Sequence, residues 1–240
     1  LGWIPDIMHG HDWPASLVPA YLKTIKAGSP FEKTAGVVTI HNLGYQGLFS
    51  KHDIHYINLD GHILWEPKTE NPHRINFLQI GLKQADVLTT VSPTYAQEIQ
   101  EPAFGFSMDG ILKRRQDDLF GILNGMDYAA WNPETDPFLP LHYSHTDSDF
   151  HRKKDVKKEL QEKLGLQKDS EVPLIGMVSR LVEQKGVSEL CGPGYGVLAQ
   201  ALQELPLQFV ILGTGESWCE KELRFLADRY PNLAVSLEFN

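Results

Sequence analysis

Short β-branched or apolar runs alternate with stretches of helical periodicity along this chain. That alternation confines it to an α/β fold built on parallel sheet. The runs read as strands are Asp6–His9, Val37–Ile40, Val87–Val91, Leu119–Leu123, Leu174–Val178, Gln208–Leu212 and Leu233–Leu237. Helices are predicted over Trp13–Ile25, Arg74–Gln84, Pro93–Ile99, Phe150–Leu164 and Ser217–Tyr230. Pro14 suits a first helical turn, and Ser92 suits the cap ahead of Pro93. Val156, Leu160 and Leu164 form one stripe, ended by Gly165; Cys219, Leu223, Leu226 and Tyr230 form another, stopped by Pro231. Core packing is the simplest role for both.

The rhythm breaks after Asn124-Gly125. From Trp131-Asn-Pro-Glu-Thr-Asp-Pro137 to Asp149 the chain is rich in Pro, Asp, Ser and His and has no period. Strand and helix signals then resume, with the next strand following Pro173. The expected organisation is two sheet-bearing units, residues 1–125 and 151–240, with residues 126–150 as a hinge or linker.

Charge narrows the partners. Lys and Arg total 22 against 31 Asp and Glu, a net charge of −9. That is the wrong sign for a nucleic-acid groove, and no basic block exceeds Arg152-Lys153-Lys154. Cys191 and Cys219, the only cysteines, lack metal-ligand spacing and suit a reducing compartment. No apolar stretch approaches the ~20 residues of a membrane span, and no signal peptide is visible. A soluble, intracellular protein is expected. The chain opens at Leu1 and runs straight into a strand-like stretch, so an interior segment of something longer is also expected.

In an open parallel sheet, ligands gather beyond the carboxyl ends of the strands. After the first strand comes His11-Asp12-Trp13, and after the second His41-Asn-Leu-Gly-Tyr-Gln-Gly47. Ser92-Pro93, Asn124-Gly125, the pair Arg180 and Lys185, and Gly213-Thr214-Gly215 follow the next four. Arg180 and Lys185 could clamp a pyrophosphate, one as a flat fork and the other as a point charge. An isolated pair of this kind is equally a pair of solvated loop cations. Gly213 and Gly215 would let a phosphate or ribose approach the backbone, or simply make a tight turn. Asp12 could cap the following helix, His41 could be a satisfied core histidine, and Asn124-Gly125 is a common turn. Convergence at one edge outweighs each bland reading taken singly.

Six strings occur in order: His9-Gly-His-Asp-Trp13, Thr39-Ile-His-Asn-Leu-Gly-Tyr-Gln-Gly47, Thr89-Thr-Val-Ser-Pro-Thr-Tyr-Ala-Gln-Glu-Ile99, Gly121-Ile-Leu-Asn-Gly125, Trp131-Asn-Pro-Glu-Thr-Asp-Pro137 and Val178-Ser-Arg-Leu-Val-Glu-Gln-Lys-Gly186. Together they closely resemble the bacterial glycogen synthases and plant starch synthases. The resemblance implies a GT-B fold, in which two Rossmann-like domains face a cleft. Residues 1–125 would be the carboxyl-terminal part of the acceptor-side domain, and residues 151–240 the first part of the nucleotide-sugar domain. It also implies a retaining glucosyltransferase that moves glucose from ADP-glucose to the non-reducing end of an α-1,4-glucan, without metal or pyridoxal phosphate. Such enzymes are cytoplasmic, or plastidial in plants.

Residue by residue, Arg180 and Lys185 match the pair that holds the donor phosphates, and His41 the histidine beside the donor glucose. Asp12 is a polar partner at the transfer centre. Asp12, Trp13 and Asn124 would line the glucose pocket, and Gly213, Thr214 and Gly215 a nucleotide-side loop. The family's Lys-x-Gly-Gly loop and its later acidic motif are absent here, so this segment alone is expected to be inactive. Gly192-Pro-Gly194 interrupts the place where the family continues a helix. A non-catalytic nucleotide-sugar-binding relative is the alternative, and a pyridoxal-phosphate-dependent GT-B phosphorylase a weaker one. Glycogen versus starch, ADP- versus UDP-glucose and oligomeric state are left open.

Overall fold

The computed structural model describes residues 2–25, 28–59, 74–146 and 151–238. The chain divides into two compact units, Leu1–Gly125 and Met126–Asn240.

In the first unit, β1 (Ile7–His11) and β2 (Ala35–Ile40) lie side by side in parallel. A small antiparallel pair, β3 (Leu48–Ser50) with β4 (Arg74–Asn76), stands apart. β5 (Val87–Thr90) and β6 (Leu119–Gly121) extend the parallel sheet, whose order is β1-β2-β5-β6. β2 is almost wholly buried, as expected of an inner parallel strand reading Ala-Gly-Val-Val-Thr-Ile. Val38, Ile40 and Leu88 pack with Leu78, Leu82, Ile99 and Leu112 into the main core of this unit.

Two predicted helices come out differently. The stretch read as Trp13–Ile25 is two pieces, Asp12–Ala15 and Val18–Ile25. Pro19 explains the break: it has no N–H to donate, and its ring would strike the carbonyl four residues back. The stretch read as Arg74–Gln84 begins as strand β4 and becomes helical only at Phe77. Asn76 starts that helix, its Oδ1 accepting from the Gln79 N–H at 2.9 Å. Ser92 caps the helix Pro93–Glu98 as its sequence suggests, accepting from the Tyr95 N–H at 3.2 Å.

Arg115 shows how a cation can be wholly structural. Its guanidinium donates to the carbonyls of Leu82 and Ala85, both at 2.8 Å, and to Asp118 at 2.9 Å. It thereby closes the end of the helix Phe77–Gln84.

The second unit carries a parallel sheet of β7 (Leu174–Val178), β8 (Gln208–Leu212) and β9 (Leu233–Ser236), in that order. Residues 122–146 contain only turns and coil, several closed by Asp or Asn side chains, such as Asp127 accepting from the Ala129 N–H at 2.9 Å. The remaining residues of the expected linker, 147–150, and Phe150 of the expected fourth helix lie outside the described residues. That helix runs from His151 to Lys163, and its predicted apolar stripe is not what it buries. Leu160 is 41% exposed, whereas Gln161 is fully buried. The Gln161 amide donates to Gln208 Oε1 at 2.7 Å and to the Asp169 carbonyl at 2.9 Å, and accepts from the Asp169 N–H at 3.0 Å. A buried amide with all these partners fixes the loop to the sheet at little desolvation cost.

The helix Ser217–Arg229 does bury the predicted Cys219, Leu223 and Leu226, against Leu181, Val187, Cys191 and Ile211. Cys191 ends the short helix Val187–Cys191, where Gly192-Pro-Gly194 turns the chain toward the helix Leu198–Glu204. The two sulfurs lie 3.5 Å apart as free thiols.

A close passage of two backbones shapes the end of β7. Leu181 bridges to Gly215, its N–H donates to the Thr214 carbonyl at 2.8 Å, and the Glu216 N–H returns to the Leu181 carbonyl at 2.8 Å. A Cβ at Gly213 would sit 1.9 Å from the Ser179 carbonyl oxygen, and one at Gly215 would sit 2.1 Å from that of Leu181. Gly213 also has φ +153°, where side chains are strained. These glycines are required by the strand next door.

Two outcomes follow. Gly215→Ala should destabilise the chain by about 2–3 kcal/mol, because neither backbone can retreat without losing those bonds. A lower urea midpoint with an unchanged slope is the expected result, and a wild-type midpoint would refute the close approach. Burial, with the neighbouring thiol second, pushes the Cys191 thiol up to about 12. At pH 8 only about one molecule in ten thousand then carries the reactive thiolate. Iodoacetamide should therefore leave Cys191 unmodified until urea unfolds the chain; labelling at the rate of a free thiol would contradict this.

Candidate active site

Parallel pairing brings the carboxyl ends of β1 and β2 together in the first unit. Register places His11 opposite Thr39 and Thr39 opposite Thr89. Side chains two residues apart share a face, so His9, His11, Thr39, His41 and Thr89 form one polar row. Thr39 Oγ1 lies 2.5 Å from Thr89 Oγ1 and 2.6 Å from His9 Nε2. The His9 and His11 rings stack with centroids 4.3 Å apart. His11 Nδ1 lies 2.9 Å from His41 Nε2. Desolvation lowers the pKa of His9, and the neighbouring His11 and His41 lower it further.

His41 is exposed at the strand end, so it is not a core histidine. Asp12 does not cap a helix either. Its Oδ1 accepts from the main-chain N–H groups of His41, at 2.7 Å, and Asn42, at 3.3 Å, and so ties the end of β1 to that of β2. Asp12 adopts φ +53° to do this, an unusual conformation for a residue with a side chain. Its main-chain carbonyl accepts from the Ser16 hydroxyl at 2.7 Å, closing the short turn behind it.

Trp13 is half-buried, its ring 5.7 Å from that of Phe49. With Tyr45, Gln46, Phe49, Phe106 and Ser107 it lines an open pocket of about 670 Å³. Phe106 and Ser107 both have positive φ, +45° and +65°. Gln46 braces this turn by donating to the Phe106 carbonyl at 2.8 Å, and Asn76 donates to Gln46 at 2.6 Å. Phe106 and Ser107 carry no motif chemistry of their own and enter through turn geometry, whereas His11, part of the His9–Trp13 string, is given a role only by cross-strand pairing. Asn124 is exposed coil just after β6 and joins none of these contacts.

In the second unit, Arg180 leaves the end of β7 and Lys185 closes a single 3-10 turn, Glu183–Lys185, before left-handed Gly186. Both cations are exposed. Arg115, by contrast, is committed to carbonyls. Thr214 and Gly215 run beside Leu181, so the glycine turn and the cation loop form one strand-end unit. The Gly215 N–H is already held by Glu220 at 2.9 Å. Among the described residues no group of three or more His, Cys, Asp or Glu could hold a metal ion, and no helix is long and apolar enough to cross a membrane.

Known proteins resemble this chain in sequence and fold. Residues 1–114 match the starch synthase catalytic domain family. A glycogen synthase of Treponema denticola is 49% identical over 238 residues, covering 99% of this chain and 48% of that protein. One from Pseudothermotoga lettingae is 44% identical, covering 98% of this chain and 47% of its own length. The catalytic domain of starch synthase IV from Arabidopsis thaliana, solved bound to ADP and acarbose, superposes with a TM-score of 0.85 at 30% identity. It covers 100% of this chain and 49% of that domain chain. The chain thus spans about half the length of the curated relatives it matches. Its fold is the GT-B fold of those synthases. Over its own 240 residues, the chain is thus similar in sequence and fold to the glycogen synthases and starch synthases.

Proposed function

We propose that this chain supplies donor-site and transfer-centre residues of a retaining glucosyltransferase, which moves glucose from ADP-glucose to the non-reducing end of an α-1,4-glucan. The observation that carries the reading is the pair of exposed cations, Arg180 and Lys185, at the carboxyl end of a parallel strand. ADP, bound in the Arabidopsis relative, is the diphosphate that ADP-glucose leaves behind.

The chemistry asked of them is electrostatic. As the bond from the anomeric carbon to the phosphate oxygen breaks, negative charge collects on the leaving diphosphate. Arg180 grips it through parallel N–H donors and Lys185 as a point charge, both in place before the reaction. The acceptor hydroxyl attacks from the same face, and its proton passes to the departing phosphate oxygen. This route suits the local groups: the Asp12 Oδ1 is engaged by two main-chain N–H groups, and a double-displacement route would need a free carboxylate beneath the anomeric carbon. His41 and Trp13 contact the donor glucose, Asn124 helps to close its pocket, and the Gly213-Thr214-Gly215 turn flanks the nucleotide. As proposed, the positive charge comes from side chains, with no metal ion or pyridoxal phosphate. The reaction belongs in the cytoplasm, or in a plastid in a plant.

In a full-length glycogen synthase carrying this segment, Arg180→Ala should lower turnover by ~100-fold or more, the usual cost of one preorganised charged contact. Lys185→Gln should lower turnover and weaken donor binding together. Incorporation of labelled glucose into glucan at wild-type rates in both variants would remove the phosphate-clamp assignment. Donor binding without incorporation by the unsubstituted enzyme would favour a non-catalytic nucleotide-sugar binder.

A further inference from the structure

His41 is held twice. Its main-chain N–H donates to the Asp12 carboxylate at 2.7 Å, and its ring Nε2 lies 2.9 Å from His11 Nδ1. The first contact fixes where the residue stands. The second fixes how its imidazole turns, because one proton between two ring nitrogens makes the tautomers of both rings depend on each other.

His11 is itself immobilised. Its ring stacks on that of His9 at 4.3 Å, with 27° between the planes. His9 is anchored in turn through Thr39 to Thr89 on the next strand, at 2.6 and 2.5 Å. The row therefore runs across β5, β2 and β1 and delivers its last hydrogen bond to His41. An exposed histidine with a free ring would sample several rotamers. This one meets a partner that the sheet has already oriented.

We infer that His11 is a positioning residue for His41: it occupies Nε2, selects one tautomer and rotamer, and leaves Nδ1 as the nitrogen presented to a donor-sugar hydroxyl. The inference rests on the reading of His41 as a donor-glucose contact. His11 itself touches no substrate. Its effect is on orientation, so it acts on the transfer step more than on donor affinity.

The test combines two readouts. In the 240-residue chain, long-range 15N–1H correlation of the histidine rings should show His41 as one tautomer with a hydrogen-bonded Nε2. His11→Phe, which keeps a ring to stack on His9 but offers no hydrogen bond, should shift those signals toward tautomer averaging. His11→Gln, whose amide can replace the bond, should restore them in part. In a full-length synthase carrying the segment, His11→Phe should lower kcat about tenfold with KM for ADP-glucose nearly unchanged. The double variant His11→Phe/His41→Ala should be no slower than His41→Ala alone. Unchanged His41 signals in His11→Phe, or losses that multiply in the double variant, would overturn the inference. Full turnover in His41→Ala would instead overturn the donor-site reading on which it rests, and the ring signals separate the two failures.

Discussion

Parallel strand pairing is the constraint from which the rest follows. When neighbouring strands run the same way, all their carboxyl ends lie along one edge, and whatever polar residues follow them are gathered there. His11, His41 and Asp12 meet because β1 and β2 pair in parallel register, 30 residues apart for the histidines. The second unit repeats the principle with β7 and β8, whose ends bring Ser179–Leu181 against Gly213–Gly215. Neither grouping is local in sequence.

Two kinds of main-chain bond then set the site's shape. In the first unit a carboxylate, Asp12, accepts from the N–H groups just beyond β2. In the second, two glycines let one backbone pass within hydrogen-bond reach of another and so fix the loop that carries Arg180. These frameworks leave the side chains of His41, Arg180 and Lys185 exposed. The contrast between Arg115, consumed by carbonyls, and Arg180 shows why composition alone cannot assign a cation its task.

The α/β class and nearly every strand could be read from the sequence, because short apolar runs such as Val37–Ile40 and Leu174–Val178 pair well in parallel sheet, the first of them largely buried. Three things could not. The break before Val18 depends on where Pro19 meets a preceding carbonyl, which periodicity does not register. The Arg74–Asn76 strand pairs with Leu48–Ser50, a partner 24 residues away at its nearest register pair, Ser50 with Arg74, and too short to announce itself. The burial of Gln161 in place of Leu160 depends on an amide network assembled from residues 161, 167, 169 and 208.

The same limit applies to the site. Motif order pointed to Asp12, His41, Arg180, Lys185 and the glycine turn as functional. The structure adds how Asp12 and the glycines are employed: Asp12 anchors two amides instead of a helix, and Gly213 and Gly215 make room for a neighbouring strand. His11, already within the His9–Trp13 string, gained a role only through cross-strand register. Calorimetric titration of this chain with ADP and with AMP tests the central claim most directly. The account predicts that ADP binds more tightly than AMP and that replacing Arg180 and Lys185 together abolishes the difference. Equal affinity for the two nucleotides, or a difference that survives the double replacement, would contradict it.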